Sequence, residues 1–373
     1  MIQGHGGNKQ QLADRIGCRL EDIIDMSSNL NPLGPPERIH TFIRENIHLI
    51  HALPEPDAAG MSKGFADYRG IDPGCVMAGN GTTFFIYTLP LALGAKKALI
   101  LGPAYADYED ACAAHHVKTS HCLTLAENNF VPDLDQLSAG AEQADLVFIC
   151  NPNNPTGNLI NKQDLETLMR RHTNTCFVVD ESYLPFVPDA EEFSLVEQTH
   201  LPNLVVLSSM SKIFRIPGLR TGFLSGAKAL IRKVMVHYQP WSVNALAQAV
   251  IKDIYDHPEE ILPFYQQTRE FIVKERRAFA QALAETDGIR LFDTPVYFML
   301  ARLDKILASQ LCRRVGDDGF LIRDCANFKG LSYRFVRFSL KTNKINLALA
   351  QSIKTALARK QNSPCSLILP GRF

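Results

Sequence analysis

Short uninterrupted apolar runs alternate with helical patterns between residues 75 and 225. Apolar runs without polar alternation are typical of strands that are buried on both faces, and strands separated by helices usually pair in parallel. The pattern therefore predicts an α/β fold with a mostly parallel central sheet between helices. The predicted strands are 98–101, 146–150, 176–179, 204–207 and 222–224.

The pattern changes on both sides of this region. The first 34 residues are rich in Gly and Asn, and "PPERIHTFIRENIHLI" follows with apolar residues at helical spacing. After "QPWSVNAL", a long helical stretch covers roughly 244–285, and strand-like segments follow around 297–300, 321–323 and 335–340. We therefore expect an N-terminal arm at 1–34, a large domain at 35–245, a small α+β domain at 246–360 and a surface tail at 361–373.

Composition excludes several classes of function. The chain of 373 residues has 39 Lys+Arg and 39 Asp+Glu, so a formal net charge of zero gives no sign of a nucleic-acid or membrane partner. The N-terminal sequence lacks a basic region followed by an apolar core, and no apolar window is long enough to predict a membrane span. The 9 cysteines are scattered without a C-x-x-C pair, which favours reduced thiols, a cytoplasmic location and no metal site.

Polar side chains follow the predicted strands at the edge of the sheet where ligands bind in such folds. "NPNNPTG" follows the second run, Asp180 follows the third, and Lys212 lies in "SSMSKIFRIPGLRTG" after the fourth. "GNGTT" at 79–83 opens a helix, where unpaired N–H groups and the helix dipole favour an anion. Taken alone, the lysine is typical of a surface charge, the aspartate of a helix cap and the glycines of a tight turn.

Together these groups fit a phosphorylated pyridine aldehyde. A lysine supplies the amine for a Schiff base. A buried carboxylate needs a partner, and a protonated pyridine nitrogen would serve as one. Asn154 and Tyr183 can hydrogen-bond a ring hydroxyl, and Tyr105 can stack on a flat ring. The sequence therefore predicts pyridoxal 5'-phosphate, which acts as an electron sink for a carbanion at the amino-acid α-carbon.

The motifs "NPNNPTG", "DESY" and "SMSKIFRIPGLRTG" stand in an order and spacing that resemble the fold-type-I, pyridoxal-phosphate-dependent aminotransferase superfamily over nearly the whole chain. The resemblance implies Lys212 as the Schiff-base lysine, Asp180 at the pyridine nitrogen, Asn154 and Tyr183 at the ring oxygen, and Tyr105 stacked on the ring. It also implies that the cofactor phosphate is held by Gly81, Thr82, Ser209, Ser211 and Arg220.

Finer features resemble the threonine-phosphate decarboxylases of cobalamin biosynthesis, which are close to the histidinol-phosphate aminotransferases. The segments are "HGGN" at 5–8, "SSNLNPLGPP" at 27–36, "QPWSVNALA" at 239–247 and "LIRDCANFKGL" at 321–331. The resemblance implies an arm that crosses the active site, and Arg337 as the binder of the substrate carboxylate. The substrate contacts that it implies are His5, Gly6, Asn8, Asn31, Asn154, Arg323 and Arg337.

The implied reaction is decarboxylation of threonine phosphate, or of serine phosphate, to an amino-alcohol phosphate. An aminotransferase of the histidinol-phosphate type stays open as the alternative, because the bond that breaks is the one held perpendicular to the cofactor ring. Sequence identifies the side chains that hold the substrate but not their placement to that accuracy.

One departure from the family concerns the subunit interface. The resemblance implies a homodimer in which a tyrosine before a proline reaches the partner's cofactor phosphate. Here the corresponding stretch is "HALPEPDAAG", and Leu53 stands at that place. Leucine cannot donate a hydrogen bond, so that contact is absent or is made by another group.

Two readings from other classes of protein fit less of the sequence. S-x-x-K at 209–212, "SVN" at 242–244 and "KTN" at 341–343 echo serine acyl-transferring enzymes, but their third motif requires glycine where Asn343 stands. A non-catalytic ligand sensor would not need an intact set of lysine, aspartate and arginine. A visible absorption band would separate a cofactor-dependent enzyme from a serine acyl-transferring enzyme.

Overall fold

The computed structural model describes residues 6–359, so His5 and the predicted tail at 361–373 lie outside the described residues. The strands are β1 Ile24–Asp25, β2 Val76–Asn80, β3 Lys97–Gly102, β4 Lys118–Leu123, β5 Leu146–Cys150, β6 Cys176–Asp180, β7 Leu204–Ser209, β8 Thr221–Gly226, β9 Ile289–Leu291, β10 Phe298–Leu303, β11 Phe320–Leu321, β12 Arg323–Asp324 and β13 Phe335–Ser339. The helices are α1 Lys9–Ile16, α2 Glu37–Glu45, α3 Ala59–Arg69, α4 Gly81–Ala92, α5 Asp107–Ala114, α6 Leu134–Ala141, α7 Lys162–Arg171, α8 Ala190–Phe193, α9 Met210–Ile213, α10 Lys228–Met235, α11 Ala245–Asp256, α12 Pro258–Leu283, α13 Ala308–Gly316 and α14 Asn343–Ala358.

The central sheet has seven strands in the order β2-β8-β7-β6-β5-β3-β4. Strands β3 to β7 pair in parallel, which confirms the mostly parallel α/β sheet that the apolar runs predict. The predicted strand at 222–224 differs, because β8 runs antiparallel to both β7 and β2. Only a short helix and a turn connect β7 to β8, which is too little chain for a parallel crossover.

The sequence pattern missed the two edge strands of this sheet. Strand β4 alternates between more and less exposed residues, because a strand at a sheet edge is only partly covered. Strand β2 is buried over most of its length, but its apolar run has only three residues, Val76, Met77 and Ala78, before Gly79.

A second sheet of four antiparallel strands, β12-β13-β10-β9, lies in the C-terminal part. The predicted strand at 321–323 is divided, because Leu321 ends β11, which pairs with β1, whereas Arg323 begins β12. Helices α12, α13 and α14 cover this sheet around a second apolar cluster.

The predicted domain boundary at 245 does not coincide with a change of apolar core. Helix α11 packs against α3, and Val250, Ile251 and Ile254 belong to the same buried cluster as the central sheet. Within α12, Ile261 and Ile272 still belong to the first cluster, and the second cluster begins at Phe279. We therefore propose a boundary within α12 rather than before α11.

Residues 6–359 contain neither a membrane-spanning helix nor a cluster of metal-binding side chains. No helix there combines the length and the apolar character that crossing a membrane requires. No group of three or more His, Cys, Asp and Glu side chains there lies close enough to hold a metal ion.

Candidate active site

Two cavities meet at the carboxyl ends of β5, β6 and β7. The inner cavity has a volume of about 90 Å³ and the outer one about 330 Å³, and Lys212 lines both. Tyr105, Asn154 and Tyr183 also line both cavities. Parallel strands end at one edge of their sheet, which is why residues far apart in sequence meet there.

The inner cavity collects every residue that the sequence assigns to the cofactor. These residues are Gly81, Thr82, Tyr105, Asn154, Asp180, Tyr183, Ser209, Ser211, Lys212 and Arg220. Their chemistry fits the parts of pyridoxal phosphate: an amine, a carboxylate, a phenol, an amide, hydroxyls and a guanidinium. The structure brings the set together, and the role of each member is proposed below.

Asp180 is buried at the end of β6 and has two protein partners. Its Oδ2 accepts a hydrogen bond from the Tyr108 hydroxyl at 2.8 Å, and its Oδ1 accepts one from the Ser182 N–H at 3.0 Å. Tyr108 stacks on Phe148 with ring centroids 5.0 Å apart. Burial raises the pKa of Tyr108 well above its ordinary value, so the phenol keeps the proton that it donates.

Sequence reasoning missed Tyr108, although the signal for it is present. It stands three residues after Tyr105 in "GPAYADY". Tyr105 lies two residues before α5 and Tyr108 is the second residue of α5, so both stand where the chain enters this helix. The two rings pack edge to face with their centroids 5.9 Å apart. Both side chains line the inner cavity.

Lys212 lies on α9, directly after β7. Burial lowers its pKa from the ordinary lysine value, and the positive charge of Arg220 lowers it further, whereas Asp180 acts in the opposite direction. A lysine with a lowered pKa has a larger neutral fraction near pH 7, and the neutral amine is the nucleophile. The site therefore suits Lys212 to attack an aldehyde.

The start of α4 forms a cradle for an anion. Gly81 has a φ of +73°, and a Cβ placed on it would lie 2.7 Å from Nη2 of Arg220. A Cβ placed on Gly222 would lie 2.7 Å from the backbone nitrogen of Thr82. Only glycine permits both approaches. Backbone N–H groups, a guanidinium and the hydroxyls of Ser209 and Ser211 thus converge at one end of the inner cavity, which fits the phosphate of the cofactor.

The outer cavity contains two guanidinium groups. Arg337 is buried on β13, where it donates from Nη1 to Oδ1 of Asn154 and from Nη2 to the Ser27 carbonyl at 2.7 Å. Its buried Nε has no hydrogen-bond acceptor among the described residues. Arg323 stands directly opposite Arg337 in the register of β12 and β13.

Arg323 faces the cavity beside the loop that follows β12. Its Nη2 donates to Oδ1 of Asn327 at 2.7 Å, and its guanidinium lies 5.3 Å from the centre of the Phe328 ring. Burial lowers the pKa of Arg323, and the charge of Arg337 lowers it further, partly offset by Cys325. Two like charges held close together in a cavity favour ligands with two negative groups.

The predicted substrate residues divide into three groups. Gly6, Asn154, Arg323 and Arg337 line the outer cavity, and His5 lies outside the described residues. Asn8 and Asn31 line neither cavity. The side chain of Asn8 caps α1 by accepting the Gln11 N–H at 3.2 Å.

For Asn31 the prediction of substrate contact is wrong. Its side chain is fully buried and donates to the Ile213 carbonyl at 2.8 Å and to Thr268 Oγ1 at 3.1 Å, and it accepts the Leu33 N–H at 2.9 Å. These bonds occupy both of its donors, so the residue fixes the arm to the core and faces no ligand.

Asn29 lines the outer cavity instead. Its Nδ2 donates to the Tyr183 hydroxyl oxygen at 3.3 Å, and its Oδ1 accepts from the Ser339 hydroxyl at 2.6 Å. Both asparagines stand in "SSNLNPLGPP", and nothing in that stretch shows which one points to the ligand. A two-residue difference along an irregular segment cannot be resolved by periodicity.

Comparisons with known proteins agree with this geometry. The family model described as aminotransferase class I and II matches residues 21–353. The adenosylcobalamin biosynthesis bifunctional protein CobDQ of Leptospira interrogans serogroup Icterohaemorrhagiae serovar Lai (strain 56601) is 29% identical over 348 residues, which are 92% of this chain and 40% of that protein. The chain therefore spans less than half the length of that bifunctional relative.

Two solved structures share the fold almost completely. The L-threonine-O-3-phosphate decarboxylase from Porphyromonas gingivalis aligns with a TM-score of 0.80 and 29% identity over 90% of this chain and 99% of that one. The histidinol-phosphate aminotransferase from Clostridium acetobutylicum aligns with a TM-score of 0.81 and 28% identity over 89% of this chain and 98% of that one. Fold similarity alone does not separate the two reactions.

Proposed function

The chain belongs to the aminotransferase class I and II family, and we propose that it decarboxylates an O-phosphorylated hydroxy amino acid with pyridoxal phosphate as cofactor. The preferred substrate is L-threonine O-3-phosphate, with L-serine O-phosphate as a second one. The product is an amino-alcohol phosphate for cobalamin biosynthesis. A transaminating enzyme of the histidinol-phosphate type is the alternative.

The paired guanidinium groups of Arg323 and Arg337 are the observation that supports a decarboxylase. They stand opposite each other in the sheet and line the cavity that also contains Lys212. A phosphoamino acid carries an amine, a carboxylate and a phosphate, so each anion can take one guanidinium while the amine reaches the cofactor. Histidinol phosphate has no carboxylate and would leave one guanidinium without an anionic partner in its half of the aminotransferase reaction.

We assign the side chains as follows. Pyridoxal phosphate, when bound, supplies an electron sink for the electron pair left on the α-carbon. Lys212 would bind the aldehyde of the cofactor and would supply the proton that replaces carbon dioxide at the substrate α-carbon. Asp180 would keep the pyridine nitrogen protonated, and Asn154 and Tyr183 would bind the ring oxygen. Arg337 would hold the substrate carboxylate, and binding energy at the phosphate would be expressed as rate if it orients that carboxylate for loss.

Two further properties belong to this proposal. A homodimer with its active sites at the interface follows from the resemblance to the family and is tested in the Discussion. A cytoplasmic location is supported by the state of the cysteines, since the structure finds those of residues 6–359 as free thiols.

Product analysis tests the reaction. We expect the enzyme to release carbon dioxide and an amino-alcohol phosphate from threonine phosphate without a 2-oxo acid, and to turn over unphosphorylated threonine poorly. Arg323→Ala should reduce the preference for the phosphorylated substrate. Lys212→Ala should lose both turnover and the visible absorption band of the bound cofactor.

The same assay in the presence of 2-oxoglutarate separates the two reactions. Transfer of the amino group to the oxo acid without release of carbon dioxide would reject the decarboxylase in favour of the aminotransferase. A Lys212→Ala variant that kept the visible band and full turnover would reject the whole assignment of the site.

A further inference from the structure

Ser27 connects two parts of the substrate cavity that come from distant segments of the chain. Its side chain is 1% exposed. Its hydroxyl oxygen accepts the N–H of Gly7 at 2.8 Å, and the hydroxyl donates to Oδ1 of Asp25 at 2.7 Å. Its carbonyl accepts from Nη2 of Arg337 at 2.7 Å. One residue therefore contacts both the N-terminal arm and the proposed binder of the substrate carboxylate.

Asp25 fixes the direction of the Ser27 hydroxyl. Oδ1 of Asp25 also accepts the N–H groups of Ser27 at 2.8 Å and Ser28 at 3.1 Å. Burial opposes ionisation of this carboxyl, but the hydrogen bonds from Ser28 and Ser27 outweigh it and lower the pKa of Asp25. An ionised carboxylate only accepts, so the proton of the Ser27 hydroxyl points to Asp25 and the oxygen lone pairs are left for the arm.

The backbone of Gly6 in the arm packs directly against the carbonyl group of Ser27. A Cβ placed on Gly6 would lie 2.7 Å from the Ser27 carbonyl oxygen, so only glycine permits the observed distance. Gly6, Ser27 and Arg337 all line the outer cavity. The position of the arm over this cavity is thus set by a hydrogen bond to the side chain of Ser27 and by contact with its carbonyl.

We infer that Ser27 is a positioning residue that couples the arm to Arg337 and thereby sets the preference for a substrate with both a phosphate and a carboxylate. The inference rests on the proposed function for the identity of the substrate. Loss of the hydroxyl removes the acceptor of the Gly7 N–H and leaves the carbonyl contact with Arg337 in place. The arm is then released from the cavity while the carboxylate site stays intact.

The test compares Ser27→Ala with the matched control Ser225→Ala. Ser225 is an equally buried serine on β8, and its hydroxyl has no hydrogen-bond partner among the described residues. For Ser27→Ala we expect KM for threonine phosphate to rise about tenfold, the scale of one or two lost hydrogen bonds. kcat should change less than KM, and KM for threonine should stay constant. Ser27→Thr, which keeps the hydroxyl, should restore the wild-type preference.

Trypsin cleavage of the cofactor-loaded protein at Lys9, the first residue of α1, reports on the arm without any substrate. We expect faster cleavage in Ser27→Ala and in Gly6→Ala, and wild-type rates in Ser225→Ala. Unchanged cleavage in Ser27→Ala overturns the inference whichever reaction the enzyme catalyses. A parallel loss of activity with threonine phosphate and threonine also overturns it, because that pattern indicates a general structural defect. If the wild type releases no carbon dioxide from threonine phosphate, the proposed function fails, and the cleavage result still decides the role of Ser27.

Discussion

At the scale of single residues, the hydrogen bond between Tyr108 and Asp180 determines how firmly the carboxylate is held. We expect Tyr108→Phe to weaken pyridoxal phosphate binding about tenfold, because hydrogen bonds to charged groups contribute roughly 1.5–3 kcal/mol. Titration of the apo-protein with pyridoxal phosphate, followed by fluorescence, measures the change.

Tyr297→Phe is the matched control for this variant. Tyr297 is equally buried, but its hydroxyl has no hydrogen-bond partner among the described residues. Its removal should leave cofactor affinity unchanged. Equal losses in the two variants would show that the effect comes from packing and not from the bond to Asp180.

The residue scale is also where sequence reasoning succeeds and fails most clearly. Lys212, Asp180 and Arg220 follow strands or turns whose geometry is fixed by the fold, so their convergence could be predicted from sequence. Asn29 and Asn31 lie on an irregular segment, and their directions depend on partners such as Thr268 and Ser339 that are more than 200 residues away. No local pattern contains that information.

A buried carboxyl next to Asp180 links stability to pH. Glu181 is buried and accepts from the Leu195 N–H at 2.6 Å and the Ser194 hydroxyl at 2.8 Å, yet burial dominates and raises its pKa to about 7. The folded protein therefore holds a proton that the unfolded chain releases near its ordinary glutamate pKa. This contribution is complete at low pH and is lost as pH rises toward 7.

The Glu181→Gln variant tests that sign. We expect the free energy of unfolding of the wild type to fall by up to about 3 kcal/mol between pH 4.5 and pH 8 relative to the variant, since one pKa unit corresponds to 1.36 kcal/mol. Chemical denaturation of both proteins across this pH range measures the difference. Parallel curves would show that folding does not raise the pKa of Glu181.

At the scale of elements, helix α4 has a glycine with positive φ at each end, and only the first of them lies at the proposed cofactor site. Gly81 begins the helix with a φ of +73°, and Gly94 follows its end with a φ of +63°. A Cβ on Gly81 would meet Arg220, whereas a Cβ on Gly94 would meet nothing within 4 Å. Alanine is strained at both positions, by roughly 1–2 kcal/mol.

We therefore expect Gly81→Ala and Gly94→Ala to lose similar free energies of unfolding as apo-proteins. Only Gly81→Ala should also lose pyridoxal phosphate affinity, by about tenfold or more, because it displaces the guanidinium of Arg220, which we propose makes a charge-assisted bond to the phosphate. Thermal unfolding and cofactor titration of the two variants separate the effects. A Gly81→Ala variant with normal cofactor affinity would remove Arg220 and the start of α4 from the phosphate site.

The elements themselves could be predicted from sequence to the extent that they are buried. The central strands β3, β5, β6 and β7 form continuous apolar runs, and their parallel pairing follows from the helices between them. The reversed direction of β8 depends on the short connection between β7 and β8. The split between β11 and β12 arises because β11 pairs with β1 whereas β12 pairs with β13. Strand direction and strand pairing are determined here by tertiary contacts, so the local sequence pattern does not predict them.

At the scale of the whole molecule, large apolar side chains are exposed on two segments, residues 47–53 and residues 236–241. The side chains of Ile47, Ile50, Leu53, Val236 and Trp241 are all exposed. The N–H of Trp241 donates to the Pro56 carbonyl at 2.8 Å, so the segments around residues 53 and 241 are neighbours. Grouped exposed apolar side chains of this size are typical of protein interfaces.

We expect the protein to be a homodimer that buries this region. Trp241→Glu should convert it to a monomer, because a buried unpaired charge is costly. Leu125→Glu is the control, since Leu125 is also an exposed apolar residue but lies after β4. Sedimentation velocity measures the oligomeric state. A monomeric wild type with full activity would contradict the proposal, as would a dimer that both variants leave intact.

The last prediction joins the interface to the cofactor. Leu53 is 80% exposed in the single chain, and its aliphatic side chain cannot donate to a phosphate. If the dimer places it against the partner's phosphate cradle, Leu53→Tyr supplies a hydroxyl donor there, and pyridoxal phosphate should bind up to about tenfold more tightly. The gain must vanish when Trp241→Glu is added, because the donor and the phosphate then belong to separate molecules. Equilibrium dialysis of the single and double variants decides this: a gain that persists in the monomer, or no gain in a proven dimer, would show that residue 53 does not reach the partner's site.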